Sequence, residues 1–422
     1  MADQAIVGAE IVHRQERPRR MRRLAMLLFL AYASLITIFQ GIQNILLPPV
    51  VEALAPDAKV STLALLATLA SITTVIALFA GGAISDRTRS RWGRRTPSLV
   101  LSCLASVALL PLMGMASSII QLLILMPLLW FTLNYYQSVL LAALPDRIPK
   151  HELGFASAAI GLGAPVGIFA GVNIGAFAPT TMLGYVFLAV PFTVLTCCLV
   201  LMEPEPSSLD EPLRVRQRLA LRSVREQFSS LKDRNFALAL ASRFLMFLCY
   251  FSVTGYLFYV LQDYVGAAQL PYENVNIGVS SVMSLMTLSW LVITPLVGFV
   301  ADRFRRTAFI VAMVSFGAAV VTLLPGVTND WTAMLLFGLG TGVMFGTYFV
   351  LDLKLATLVL PSADTAGRDL GLLLAAGSAP GVFSFAVAAS VIAFSGYPAL
   401  FVFGAIVALA GGLCAIFIRL RG

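Results

Sequence analysis

Twelve apolar runs, each near the length needed to cross a bilayer, account for most of this 422-residue chain. A helical crossing takes about 20 mostly apolar residues. The first six runs lie at 24–48, 60–84, 97–116, 119–144, 154–177 and 181–202. The last six lie at 236–262, 274–300, 307–325, 331–353, 369–394 and 397–418. In hydrocarbon a segment must satisfy its own backbone N–H and C=O groups, so each run is expected to be a helix. Composition agrees: 59% of residues are hydrophobic, 12% are charged and mean hydropathy is +0.89. A soluble domain carries roughly 25% charged residues. The expected fold class is therefore an all-α polytopic membrane protein of twelve transmembrane helices in two six-helix bundles. The units are a tail at 1–23, a bundle at 24–202, a basic linker at 203–235, a bundle at 236–418 and a tail at 419–422. A surface helix is expected near Val215–Leu231 of the linker.

Loop charge orients the chain, because basic residues stay on the cytoplasmic side. With the N-terminus inside, the inner segments collect Arg14, Arg17, Arg19, Arg20, Arg22 and Arg23 of the tail. They also collect Arg87, Arg89, Arg91, Arg94 and Arg95 between spans two and three, and Arg147 and Lys150 between spans four and five. The linker adds seven more. Arg303, Arg305 and Arg306 follow span eight, Lys354 and Arg368 flank the 10–11 loop, and Arg419 and Arg421 end the chain. Of 29 basic residues, only Lys59 falls outside, and only Arg243 falls within a span. Glu52, Asp57, Asp263, Glu273 and Asp330 fall on the outer side. Both termini are thus expected in the cytoplasm. The net charge of +8 is absorbed by this bias, and no nucleic-acid partner is expected.

The two halves repeat each other. Gly82-Ala83-Ile84-Ser85-Asp86-Arg87 returns as Gly298-Phe299-Val300-Ala301-Asp302-Arg303, a shift of 216 positions. Leu144-Pro145 returns as Leu360-Pro361, Leu153-Gly154 as Leu370-Gly371, and Ala164-Pro165 as Ala379-Pro380. Two six-span halves of the same orientation form a parallel repeat about an axis along the membrane normal. Such a duplication points to a transporter.

The Gly-x-x-x-Asp-Arg element after span two, followed by Gly93-Arg94-Arg95, resembles the loop signature of the major facilitator superfamily. More narrowly, the stretch Ser85-Asp86-Arg87-Thr88-Arg89-Ser90-Arg91-Trp92-Gly93-Arg94-Arg95-Thr96-Pro97 is similar to the glycoside–pentoside–hexuronide cation symporters and the sucrose transporters. Leu144-Pro145-Asp146-x-x-Pro149 is similar to that group as well. The resemblance implies that spans one, four, seven and ten line a central cavity. It implies that Gly82, Asp86, Arg87, Gly93, Arg94, Arg95, Gly298, Asp302 and Arg303 form a gate latch, which holds the halves together when the cavity faces outward. The relatives that use sodium or protons carry carboxylates within spans two and four. Here span two has no acid before Asp86, and span four none before Asp146.

Polar residues within lipid are costly and are functional candidates. Gln40, Gln43 and Asn44 lie on span one, Asn134, Tyr135 and Gln137 on span four, Asn173 on span five, Tyr256 on span seven and Tyr348 on span ten. Amides and tyrosines suit a neutral, hydroxyl-rich solute, and helix-to-helix hydrogen bonding is the competing explanation for each. Asp352 lies nine residues before Pro361, about 13 Å along a helix. Burial penalises its charged form unless it is paired, which suits proton binding and release. Arg243 is its expected partner. Proton coupling then rests on Asp352 and Arg243, with H+ as the coupling cation.

The expected function is secondary active transport of a small organic solute by alternating access, with a sugar or glycoside ahead of efflux of amphipathic drugs or secondary metabolites. The expected setting is the bacterial cytoplasmic membrane, with the bilayer and a small-molecule substrate as partners and a monomer as the working unit. Glycine-rich spans five and eleven are the expected rocking interface between halves. The five cysteines lie inside apolar runs without CxxC spacing, and the two histidines form no cluster, so neither a metal nor a cofactor is expected. No catalytic set and no Gly-x-x-x-x-Gly-Lys loop is present, which leaves a membrane enzyme or an ATP-driven pump without residues to work with.

Overall fold

The computed structural model describes residues 2–149, 152–209, 229–301, 303, 306–360, 372–373, 376–377 and 379–419. Among these residues the chain is helix and connecting loop, with no strand. Ten helices are long and apolar enough to cross a membrane: Met21–Leu54, Pro56–Arg87, Thr96–Gly114, Ile119–Arg147, Thr181–Met202, Arg234–Thr254, Val275–Ala301, Thr307–Val327, Trp331–Leu358 and Pro380–Ile416. Leu153–Ala176 is a further helix in the place of span five. Pro380–Ile416 is two helices meeting at Gly396, whose φ of 76° suits glycine. The result is twelve helices, spans one to twelve in chain order, at the places where the apolar runs lie.

Two ends run past the apolar runs. Span one continues to Leu54 and span ten to Leu358. In both cases the polar residue that closes the apolar run finds a partner, so the helix need not stop there. Glu52 binds Lys59 at 2.8 Å, and Lys354 donates to the Ala301 carbonyl at 2.6 Å. The start of span eleven, Asp302 and most of the expected linker helix at Val215–Leu231 lie outside the described residues.

The spans pack as two bundles. Span one lies against spans five and six, and span four against spans two and three. In the second half, spans seven and nine pack on the Pro380–Ile416 pair, and span ten packs on eight and nine. The halves meet where span two touches the Pro380–Ile416 pair and where span five touches span eight.

The buried apolar side chains separate into two clusters, and the division has a direction. One cluster fills the first half and continues into Val253, Tyr256, Tyr259, Met283, Phe337, Phe385 and Phe401 of the second. These lie near the end of the bundle that carries Lys59. The other cluster belongs to the second half alone, with Phe236, Met246, Val311, Leu351, Leu355 and Ala408, and lies toward the arginine-rich loops. The core is therefore shared across the halves at the lysine end, while the second half keeps a core of its own at the arginine-rich end.

The glycines of span five do not face the other half. A Cβ at Gly167 would lie 2.4 Å from the Ala33 carbonyl oxygen, and one at Gly171 would lie 2.3 Å from that of Thr37. They seat span five on span one within the same bundle, by the close backbone approach that small residues permit in membranes. Gly171→Val is expected to cost about 1–3 kcal/mol through overpacking, read as a lower melting temperature in detergent. An unchanged melting temperature would show that spans one and five are not in this contact.

Candidate functional site

The halves are joined at the lysine end by a polar cluster. Lys59, at the start of span two, places Nζ 2.8 Å from Glu52 Oε1 of its own half and 2.8 Å from Asp263 Oδ1 of the other. Gln262 Nε2 donates to Glu52 Oε1 at 2.9 Å, and Tyr397 OH donates to Asp263 Oδ2 at 2.6 Å. Tyr259 OH donates to the Pro48 carbonyl at 3.0 Å, and the Lys59 ammonium sits 5.0 Å from the Tyr259 ring centre. Farther in, Tyr256 OH reaches the carbonyls of Phe385 at 3.0 Å and Val60 at 3.3 Å. Tyr256 is thus a buried seam residue. Asn173 bridges the halves too: its Nδ2 donates to Ser284 Oγ at 2.8 Å, and its Oδ1 accepts from Ser280 Oγ at 2.9 Å.

Backbone geometry brings two of these groups to the seam. Val260–Gly266 is π-helical, as is Ile42–Leu46 at the matching place in span one. Single π turns inside α-helices turn side chains away from the regular 3.6-residue face and mark functional places. The two stretches read Ile42-Gln43-Asn44-Ile45-Leu46 and Leu261-Gln262-Asp263-Tyr264-Val265. This is another trace of the duplication. The sequence analysis missed it, although the Gln-Asn and Gln-Asp pairs near half-length spacing were there to be found.

At the arginine-rich end the polar contacts of the motif stay within the first half. Arg95 is buried, with its guanidinium 2.7 Å from Asp86 Oδ1 and 2.8 Å from Asp146 Oδ2. It also hydrogen-bonds Ser85 Oγ. Span three begins beneath it, and Glu205 Oε2 accepts from the Arg95 and Thr96 amides at 2.7 and 3.0 Å. A carboxylate there answers both the unpaired amides and the positive helix terminus. Gly93 makes room for it: φ is +86°, and a Cβ would fall 2.3 Å from Glu205 Cγ. Glu203 binds Arg23 at 2.6 Å and accepts from Arg147 through its carbonyl at 2.6 Å. Arg94 is buried, Gly82 is half-buried, and Arg87 and Arg303 are exposed. Gly161 of span five and Gly298 of span eight look onto open space. These are the spans that Asn173 joins at the other end.

Inside the second half, Arg243 Nη1 donates to Asp352 Oδ2, and both residues are buried. Tyr348 OH reaches Asp352 Oδ1 at 3.4 Å. The Phe247 ring lies 5.6 Å from the guanidinium carbon. Gly377 closes the other side, where a Cβ would stand 2.9 Å from Arg243 Nε. That nitrogen has no partner among the described residues. The expected pair of Arg243 and Asp352 therefore meets, with Tyr348 beside it.

The remaining candidates sit in the first half. Asn44 Nδ2 donates to Gln40 Oε1 at 2.7 Å, so the two share a face. Gln43 is half-buried with no side-chain partner among the described residues. Gln137 pairs with Tyr32 of span one. Tyr32, Ile36, Phe39, Gln40 and Gln43 are the half-buried positions of this otherwise buried stretch of span one, and they recur at helical spacing. Asn134 instead donates to Thr74 Oγ1 at 3.0 Å, and Tyr135 OH to Ser98 Oγ at 3.3 Å. These two tie span four to spans two and three.

The sequence matches the profile of a family described as the Major Facilitator Superfamily over residues 24–292. The fold is similar to the crystal structure of a mutant of the nucleoside transporter NupG, with a TM-score of 0.71 and 12% sequence identity, over 94% of this chain and 98% of that one. No curated protein matches the chain.

Removing one partner of a buried ion pair strands the other charge, which costs about 3–5 kcal/mol, whereas replacing both with apolar residues is often neutral. Asp352→Leu is accordingly expected to lower thermal stability sharply, and Arg243→Met/Asp352→Leu to restore most of it. A double variant no more stable than the single one would mean that the two charges do not form a mutual pair.

Proposed function

The chain belongs to the major facilitator superfamily, and from that premise we propose that it is a secondary transporter moving a small, neutral, hydroxyl-rich solute by alternating access, with H+ as the coupled ion. The observation that carries this reading is the directional seam: one apolar core across both halves at the lysine end, and a separate core at the arginine-rich end. With the arginine loops in the cytoplasm, the structure is the inward-facing state of a bacterial cytoplasmic-membrane protein that works as a monomer.

The partly open face of span one, with Tyr32, Phe39, Gln40 and Gln43, and Gln137 beside it, offers aromatic and amide groups to a sugar or glycoside. The loop resemblance to glycoside and sucrose transporters supports the same class. A nucleoside is chemically an N-glycoside, so the fold shared with a nucleoside transporter is consistent with it. Asp352 binds the proton and releases Arg243 in doing so, which ties protonation to the position of span ten against span seven. Asp86, Arg87, Arg94, Arg95, Asp302 and Arg303 draw the halves together at the cytoplasmic end in the outward-facing state, with Gly82, Gly93 and Gly298 permitting the approach. Export of an amphipathic compound is the competing direction.

Proteoliposomes with an imposed pH gradient test the proposal, using a panel of glycosides, nucleosides and amphipathic cations. At least one hydroxyl-rich solute should accumulate down the proton gradient. Asp352→Asn should abolish accumulation while solute exchange persists, since exchange needs no net proton movement. Full accumulation by Asp352→Asn would overturn the proton role, and transport of the amphipathic cations alone would overturn the solute class.

A further inference from the structure

We propose that the groove between spans three and six at the arginine-rich end is a binding site for a phospholipid with an anionic head group. The groove has a volume of about 300 Å³ and is walled by Arg91, Trp92, Thr96, Val100, Val200 and Leu201 among others. Its apolar wall continues into residues that face outward from the bundle: Leu101 is 70% exposed, Leu104 60% and Leu201 78%. A bilayer would cover such side chains, so the groove opens sideways to acyl chains. Trp92, 65% exposed, sits at the rim, where tryptophan favours the head-group level.

Charge selects the lipid. Arg91 is exposed, and among the described residues it has no ion-pair or hydrogen-bond partner. Arg87 and Arg89, in the same loop, are exposed as well. The one carboxylate in the wall is Glu205, and its Oε2 is directed at the amides of Arg95 and Thr96. It answers the start of span three and not a cationic head group. The pocket thus joins an uncommitted guanidinium to an apolar slot, which is the chemistry of a phosphate head with an acyl tail. Neither group is engaged by the seam or by the Arg243–Asp352 pair, so the site is separate from the transport pathway.

Tryptophan quenching reads it directly. The protein is placed in phosphatidylcholine vesicles containing a fixed fraction of dibrominated phosphatidylglycerol, or the same fraction of dibrominated phosphatidylcholine. The Trp92 contribution is the difference between the wild-type chain and Trp92→Phe. The apparent affinity read from that contribution should favour phosphatidylglycerol by about fivefold, the scale of one arginine near a membrane surface. Arg91→Gln should remove the preference, and Leu201→Asn should weaken quenching by both lipids. Equal quenching by the two lipids, or a preference that survives Arg91→Gln in a chain with an unchanged melting temperature, would overturn the proposal.

Discussion

The Lys59 ammonium, shared between Glu52 of one half and Asp263 of the other, is the contact on which the shape of the molecule turns. A charge near lipid persists only with a partner, and this arrangement supplies one on either side of a separation. When the halves part, Lys59 keeps Glu52, and Asp263 keeps the Tyr397 hydroxyl. No charge is stranded, so the 3–5 kcal/mol penalty of a broken buried pair does not arise. What is lost is a partly exposed ion pair and a few hydrogen bonds, each worth about 1 kcal/mol net. That total is of the size that separates two populated conformations.

The arginine-rich end is built differently. Arg95 answers Asp86 and Asp146, Glu205 caps span three, and Glu203 holds Arg23, all inside the first half. The loop after span two is thus anchored to its own bundle as a preformed unit and can meet the other half as a body. The two copies of the repeat are unequal in this respect. The first has Gly93 and the Glu205 carboxylate seated over it, an arrangement with no counterpart in Asp302-Arg303-Phe304-Arg305-Arg306 of the second copy's sequence.

Much of the fold was legible in the sequence because lipid imposes a strict rule: long apolar runs must be helices. All twelve lie where those runs lie. The Arg243–Asp352 pair was legible for a related reason, since two opposite charges within apolar spans have few alternatives to each other. The seam was not legible. Glu52, Lys59 and Asp263 are hydrophilic residues near span ends, and such residues ordinarily face water. Only the two π-helical turns and the approach of span two to span seven bring them together. Tyr256 and Asn173 show the opposite limit. Composition marks them as cavity candidates, but a hydroxyl or amide that serves a solute cannot be told from one that joins two helices until its partner is known.

The central claim is that the ends of the bundle open in alternation and that Lys59 holds one of them shut. Pulsed electron–electron distance measurement between spin labels tests this most directly, in a chain freed of its five cysteines. One pair, at Asp57 and Ala268, spans the lysine end, and a second, at Arg89 and Arg306, spans the arginine-rich end. In the wild-type background the first pair should give a single short distance and the second a long one. Lys59→Gln should add a longer population to the first pair and, in equal measure, a shorter one to the second. Distances that do not change, or that lengthen together at both ends, would contradict the account.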